Sequence, residues 1–275
     1  MRLGIVQHSL GGDISLEDFF MKAAEYGSSV VGVVVRERNK ESCAELADRH
    51  RLEIVTSWGD CFIENGSAQS ASAFEAYCRD ICVPLGIRVV CVCSSHHRWR
   101  SDPPLCEQLE RLSASLGKLA PVAEEYGVTI ALENHADYRA DEVLQVLERV
   151  DSPALKVNFD TGNPFLVAEE PVEAARKLAP YTVTTHVKDM KMYPPTDPEM
   201  PKITGGWVTA LCVRGTAIGE GDVDIPAIAA ILAKEARGDV PFLLEIESFD
   251  DRELATERSV EFVRNRLSNF VSVRA

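Results

Sequence analysis

The chain has 275 residues, with 29 Lys and Arg against 43 Asp and Glu, and a formal net charge of −14. At 45% hydrophobic and 26% charged residues it has the composition of a globular protein able to bury a core of its own. The acidic balance argues against nucleic acid or an anionic membrane as partner, and no apolar run approaches the ~20 residues that span a bilayer.

The N-terminus, MRLGIVQHSLGGD, lacks the long apolar region of a signal peptide and reads as a first strand over 3–9. Further strand-length apolar runs follow at 30–35, 52–58, 88–94, 128–135, 155–161, 182–188 and 242–248, most of them rich in Val and Ile as buried parallel strands are. Helical spacing fills the intervals. The first helix pattern, 15–27, opens on Ser15 as N-cap, and the others lie at 40–51, 71–84, 104–126, 140–150, 168–178, 224–236 and 251–269. Asp224 with Pro226 marks the start of the seventh. Eight strands alternating with eight helices predict a single (β/α)8 TIM barrel over 1–275, with an enlarged loop at about 191–223 on the C-terminal face. No GxGxxG follows the first strand, so the dinucleotide-binding alternative lacks its signature. The eight cysteines (43, 61, 78, 82, 91, 93, 106 and 212) contain no CxxC pair. They are expected to be reduced, buried thiols of a cytoplasmic protein.

Alternate residues of a barrel strand face the lumen. On the fifth strand this turns Ala131, Glu133 and His135 inward; on the sixth, Lys156, Asn158 and Asp160; on the seventh, Thr184, His186 and Lys188; on the eighth, Leu243, Glu245 and Glu247. Glu133, Asp160, His186 and Glu245 therefore converge at the C-terminal end of the lumen. Carboxylates brought that close repel unless protonated or neutralised, and a divalent cation does the latter. Oxygen-rich ligation with one imidazole suits Mn2+, Mg2+ or Co2+, with Zn2+ also compatible, and Mn2+ is the expected ion.

The motifs IALENH, NFDTGNP, THVKD and LLEIES, in this order, resemble the xylose-isomerase-like TIM-barrel superfamily of sugar isomerases and epimerases. Its members include ketose 3-epimerases, hydroxypyruvate isomerases, inosose isomerases and dehydratases, and AP endonucleases. The resemblance implies one catalytic divalent metal on Glu133, Asp160, His186 and Glu245, with Glu133 and Glu245 doubling as the acid/base pair. Alternation alone cannot choose between Glu245 and Glu247; position relative to the strand start matches the family's ligand to Glu245. The implied activity is isomerisation or epimerisation of a small sugar, keto-sugar or sugar acid through a metal-stabilised enediolate. The alternative is a lyase, a dehydratase or decarboxylase of a keto-sugar acid or keto-inositol, on the same scaffold. Two departures weaken a ketose 3-epimerase assignment: Asn163 stands where those enzymes carry a substrate-binding His, and Met192 where they carry an Arg. A nuclease is disfavoured, since VRGTAIGEG and TSWGD lack the extra ligands of a three-metal cluster. A binding protein without catalysis has no need of four metal ligands.

Candidate substrate-binding residues are His135, Asn163, Lys188, Glu247, Arg214, and His96 and Trp99 in the loop SSHHRWR after the fourth strand. A Trp there can stack on a carbon skeleton while Arg98 or Arg100 holds an anionic end. His8 and Trp58, at the ends of the first and third strands, are further candidates for the same pocket. The expected partner is a small carbohydrate, without nucleic acid or membrane, and the resemblance implies a homo-oligomer, a dimer or tetramer.

Overall fold

The computed structural model describes residues 1–58, 62–64, 67–68, 70–94, 98, 102–194, 212–247 and 251–274. Eight parallel strands make the barrel: β1 (Arg2–Val6), β2 (Val30–Gly32), β3 (Glu53–Ser57), β4 (Val89–Val92), β5 (Thr129–Glu133), β6 (Leu155–Asp160), β7 (Thr182–His186) and β8 (Pro241–Leu244). They hydrogen-bond in the order β8-β1-β2-β3-β4-β5-β6-β7. The remaining seam, between β7 and β8, closes through a parallel bridge from Val187 to Leu244. There the Val187 N–H donates to Leu243 O (2.7 Å) and the Glu245 N–H to Val187 O (2.9 Å).

Around the barrel lie α1 (Leu16–Glu25), α2 (Lys40–His50), α3 (Ala71–Tyr77), α4 (Leu105–Tyr126), α5 (Ala140–Val150), α6 (Pro171–Leu178), α7 (Ile225–Glu235) and α8 (Arg252–Arg266). The Ser15 hydroxyl accepts the Asp18 N–H and the Asp224 carboxylate the Ala227 N–H, so the caps of α1 and α7 fall where their side chains suggest. Ile130, Leu132, Leu155, Val157 and Phe159 are buried in the shared core outside the strands. A separate small cluster, Val6, Val30 and Leu243 with Val55 and Trp58 against it, fills part of the lumen. Gly4 makes this packing possible: a Cβ there would lie 2.5 Å from Leu243 Cδ2 and 2.6 Å from Val30 O.

Several elements differ from the sequence expectation. β1 stops at Val6, and Gln7–Leu10 form a 3-10 turn, because the Ser9 hydroxyl is taken up by the β8 backbone on either side of Glu245. α3 runs on through a π-helical stretch, Cys78–Cys82, and a last turn, Val83–Leu85. A short helix, Asn163–Leu166, precedes α6, which restarts at Pro171 after Ala168 adopts a positive φ of 54°. The enlarged loop begins and ends as an antiparallel ribbon, Asp189–Met192 with Val213–Thr216; residues 195–211 lie outside the described residues. The expectation of uniformly buried thiols is corrected: Cys43, Cys78, Cys82 and Cys91 are buried, but Cys93 and Cys212 are half-buried and Cys106 is exposed. Cys106 sits in the first turn of α4, on its solvent side. Among the described residues no helix is long and apolar enough to cross a membrane.

Candidate metal centre

Strand register builds the site. Glu133, last in β5, stands beside Asn158 of β6, and Asp160, last in β6, beside His186, last in β7. Glu245 follows β8 directly. With every second side chain turned inward, these four buried residues bring one ligand atom each within 4.8 Å of all the others.

Hydrogen bonds divide the oxygens of two of these carboxylates. Asp160 Oδ1 accepts the backbone N–H groups of Gly162 and Asn163, both at 2.8 Å. Its Oδ2 makes no hydrogen bond of good geometry and faces the centre. Glu245 Oε1 lies 2.6 Å from His8 Nε2, and its Oε2 turns inward. Glu133 Oε1 accepts the Asn163 side-chain N–H at 3.2 Å. His186 Nδ1 lies 3.4 Å from Glu133 Oε1 and 3.5 Å from Glu245 Oε2; neither nitrogen of this buried ring makes a hydrogen bond of good geometry among the described residues, its neighbours being these carboxylates and the Cys91 thiol. Inward oxygens with an unsatisfied imidazole fit a divalent cation, which takes both donor types.

A second cationic group reaches the same place. The buried ammonium of Lys188 lies 3.1 Å from Asp160 Oδ2, 3.0 Å from Glu245 Oε2 and 3.1 Å from Glu247 Oε2. Gly162 leaves room for its stem, since a Cβ there would come within 3.1 Å of Lys188 Cγ. Proton affinities reflect this crowding. Burial penalises the charge on Asp160 more than Lys188 relieves it, and its pKa is pushed up to about 7. Burial works against the charges of the other groups too, but opposite neighbours win. Lys188, His186 and His8 hold Glu245 well below the carboxylate range, and His186 holds Glu133 below it. Glu245 and Glu133 in turn raise His186 well above an ordinary imidazole.

The remaining sequence candidates fall at different distances from this centre. Asn163 is inside it, bridging Glu133 and Lys188 through its amide. Glu247 sits at the rim, 44% exposed. His135 is half-buried, and its Nδ1 makes no hydrogen bond among the described residues. Arg214 lies on the ribbon opposite Lys191, next to Gly215, whose added Cβ would touch the Glu247 carbonyl. Arg98 is corrected: it is ion-paired with Glu142 at the start of α5. His96, Trp99 and Arg100 lie outside the described residues. Trp58 packs its ring on His186, with centroids 5.3 Å apart and planes at 32°, and meets His8 edge-on at 6.1 Å. A groove of about 610 Å³ that includes Lys156 and Tyr181 lies at the other end of β6, away from these residues.

Sequence reasoning passed over Asn134. Its amide donates to Asp160 O (2.9 Å) and accepts the Asp160 N–H (2.8 Å), clamping the backbone of the neighbouring strand end. A short amide beside an inward Glu at a strand end is a weak signal, visible only once the β5–β6 register is known. Asp189 also has a structural task, accepting the N–H groups of Gly219, Gly221 and Val223.

The architecture is that of a TIM barrel, the class that carries its chemistry at the C-terminal ends of the strands. The sequence model of the xylose isomerase-like TIM barrel family matches residues 20–266, and the chain belongs to that family. It is 24% identical over 157 residues to an inosose dehydratase of Clostridium beijerinckii, a stretch covering 52% of this chain and 53% of that enzyme. The chain thus spans about half the length of this curated relative. Among solved structures it resembles a 3-keto-D-glucoside 4-epimerase from E. coli, with a TM-score of 0.73 at 15% identity over 96% of this chain and 99% of the other. It also resembles the IOLI protein with a bound zinc atom, with a TM-score of 0.72 at 15% identity over 98% of both chains.

Proposed function

We propose that the chain is a divalent-metal-dependent enzyme that isomerises or epimerises a small sugar, keto-sugar or sugar acid. Glu133, Asp160, His186 and Glu245 would hold the ion. The observation that carries this reading is the meeting of three carboxylates and one unsatisfied imidazole in a buried lumen. The epimerase and zinc-bound relatives support it. Of the ions this donor set accepts, Mn2+ remains our choice, with Mg2+, Co2+ and Zn2+ as alternatives.

When bound, the ion supplies Lewis-acid stabilisation of the charge that develops as a proton leaves the carbon beside a carbonyl. The chain's own residues do the rest. Glu133 and Glu245 come from β5 and the end of β8, on different arcs of the barrel wall. As carboxylates either can take the proton and return it for an isomerisation, while reprotonation from the opposite side requires that the second glutamate first take up a proton from solvent. Asn163, whose amide reaches both Glu133 and Lys188, orients a substrate hydroxyl. The Lys188 ammonium stabilises an oxyanion, and His135, Glu247 and Arg214 border the approach.

A second reading, a lyase, is favoured by one specific feature. Lys188 sits between Glu245 and Glu247, where an ammonium can protonate a departing hydroxyl, and the chain resembles an inosose dehydratase. Incubation with panels of ketoses, keto-acids and inososes in D2O separates the two. Solvent deuterium in the product without loss of water or CO2 supports the isomerase or epimerase; loss of either selects the lyase. Purified protein is expected to carry about one divalent ion per chain, and Asp160→Asn to abolish retention. Full turnover after complete metal removal would overturn both readings.

A further inference from the structure

We propose that His8 is a positioning residue for Glu245: its imidazole N–H holds Oε1, so that Oε2 alone is turned to the metal. The assignment rests on the metal reading above. It starts from the 2.6 Å contact between His8 Nε2 and Glu245 Oε1. A carboxylate only accepts hydrogen bonds, so in a 2.6 Å contact between an imidazole nitrogen and a carboxylate oxygen the shared hydrogen is carried by His8 Nε2.

His8 is held in place from several sides. The Ser9 hydroxyl donates to Leu244 O and accepts the Ile246 N–H, both at 3.0 Å, bracketing Glu245 in the chain. Arg252, the first residue of α8, donates to His8 O at 2.8 Å. Trp58 meets the His8 ring edge-on and lies across His186. A side chain 39% exposed to solvent is thus carried on a backbone pinned to the strand end it serves.

Comparison with Asp160 gives the reason such a residue is needed. There, two backbone N–H groups occupy Oδ1 and leave Oδ2 for the centre. No backbone N–H among the described residues does this for Glu245, and the 3-10 turn after β1 supplies a side-chain donor instead. A carboxylate fixed through one oxygen binds metal through the other, and loss of such a supporting hydrogen bond typically weakens metal binding about 10–100-fold.

His8, Glu245 and Glu247 also come close enough to form a ligand group of their own, which makes direct ligation by His8 the rival. The test is calorimetric titration of the metal-stripped chain with Mn2+ and with Zn2+. His8→Phe keeps a ring but loses the donor; it is expected to bind about 10–100-fold more weakly, and its metal-free melting temperature to fall as well, because the buried Glu245 Oε1 loses its partner. His8→Gln keeps a donor and is expected to recover most of the affinity. Equal affinity for His8→Phe and the wild type overturns the proposal, as does His8→Gln binding as poorly as His8→Phe. Imidazole 15N shifts of the unsubstituted protein are an independent measure: Nε2 should stay protonated with ion bound, and its deprotonation on metal uptake would instead make His8 a ligand. A wild type that takes up no ion refutes the underlying metal reading, a different outcome from a tight-binding wild type whose His8 variants match it.

Discussion

Lys188 is where the charge balance of the site is decided. Four acidic side chains, Glu133, Asp160, Glu245 and Glu247, meet three basic ones, His186, Lys188 and, at the edge, His8, and all but Glu247 and His8 are buried. Without its ammonium, Asp160 Oδ2 and Glu245 Oε2 would face each other with only the neighbouring imidazoles to offset their charge. Removing one partner of a buried ion pair costs about 3–5 kcal/mol. Lys188→Met should therefore lower metal-free stability by about 3 kcal/mol, and a divalent ion should restore most of the loss. Thermal melts with EDTA and with Mn2+ check this; an unchanged metal-free melt would remove Lys188 from among the carboxylates. The same balance sets a pH dependence. Asp160, raised to about 7, and His186, raised well above its ordinary value, bind protons more tightly in the metal-free fold, and an ion must displace them. Glu133 and Glu245 are lowered and stay ionised through neutral pH, so they do not oppose this trend. Metal affinity should accordingly strengthen as pH rises through about 7 and weaken below it. Protons should be released on binding, as measured by titration calorimetry in buffers of different ionisation enthalpy.

At the scale of elements, the period of two in LKVNFD was readable because a closed parallel barrel packs one face on helices and the other in its lumen. That logic suffices for Glu133, Asp160 and His186. It fails at Glu245 and Glu247, which share a parity, and the choice rests on contacts made by other elements. The Glu245 N–H is fixed to Val187 O across the seam and its carboxylate to His8, whereas Glu247 reaches the rim beside the ribbon. Ser9 was misread for a related reason: a strand and a 3-10 turn look alike when the partner that bends the chain is 235 residues away. Arg98 looked like a ligand for an anion because a sequence does not show that Glu142 neutralises it. Asn134 was invisible because its task, joining the ends of β5 and β6, exists only in the folded register. Asn134→Ala leaves the buried Asp160 N–H and carbonyl without this partner, so a loss of about 2 kcal/mol is expected. Because Asp160 also loses its clamp, ion affinity should fall with it. Urea unfolding of the metal-free variant and Mn2+ titration together decide; unchanged values in both would mean that the β-ladder alone holds Asp160.

At the scale of the whole molecule, the candidate ligands come from four successive strand ends and their support from a fifth, running from His8 to Glu245. No local segment contains the centre. It exists only when β8 has joined both β1 and β7, so an ion that binds it binds the closed barrel and not the unfolded chain. Linkage then converts binding into global stability: at a free ion concentration one hundred times the dissociation constant, the gain is about 2.7 kcal/mol. For a domain of this size that amounts to a rise in melting temperature of about 5 °C. The acidic surplus adds a further expectation. With a net charge of −14 the chain also attracts divalent ions non-specifically, so a rise in melting temperature alone does not identify the centre. Asp160→Asn removes one charge of the surplus but one of the four ligands, so a surface effect would survive it nearly intact. The expected result is a melting temperature that rises with Mn2+ in the wild type, falls back with EDTA, and barely responds to either in Asp160→Asn at the same ionic strength. An equal rise in the variant would place the ion on the acidic surface and leave the lumen without one.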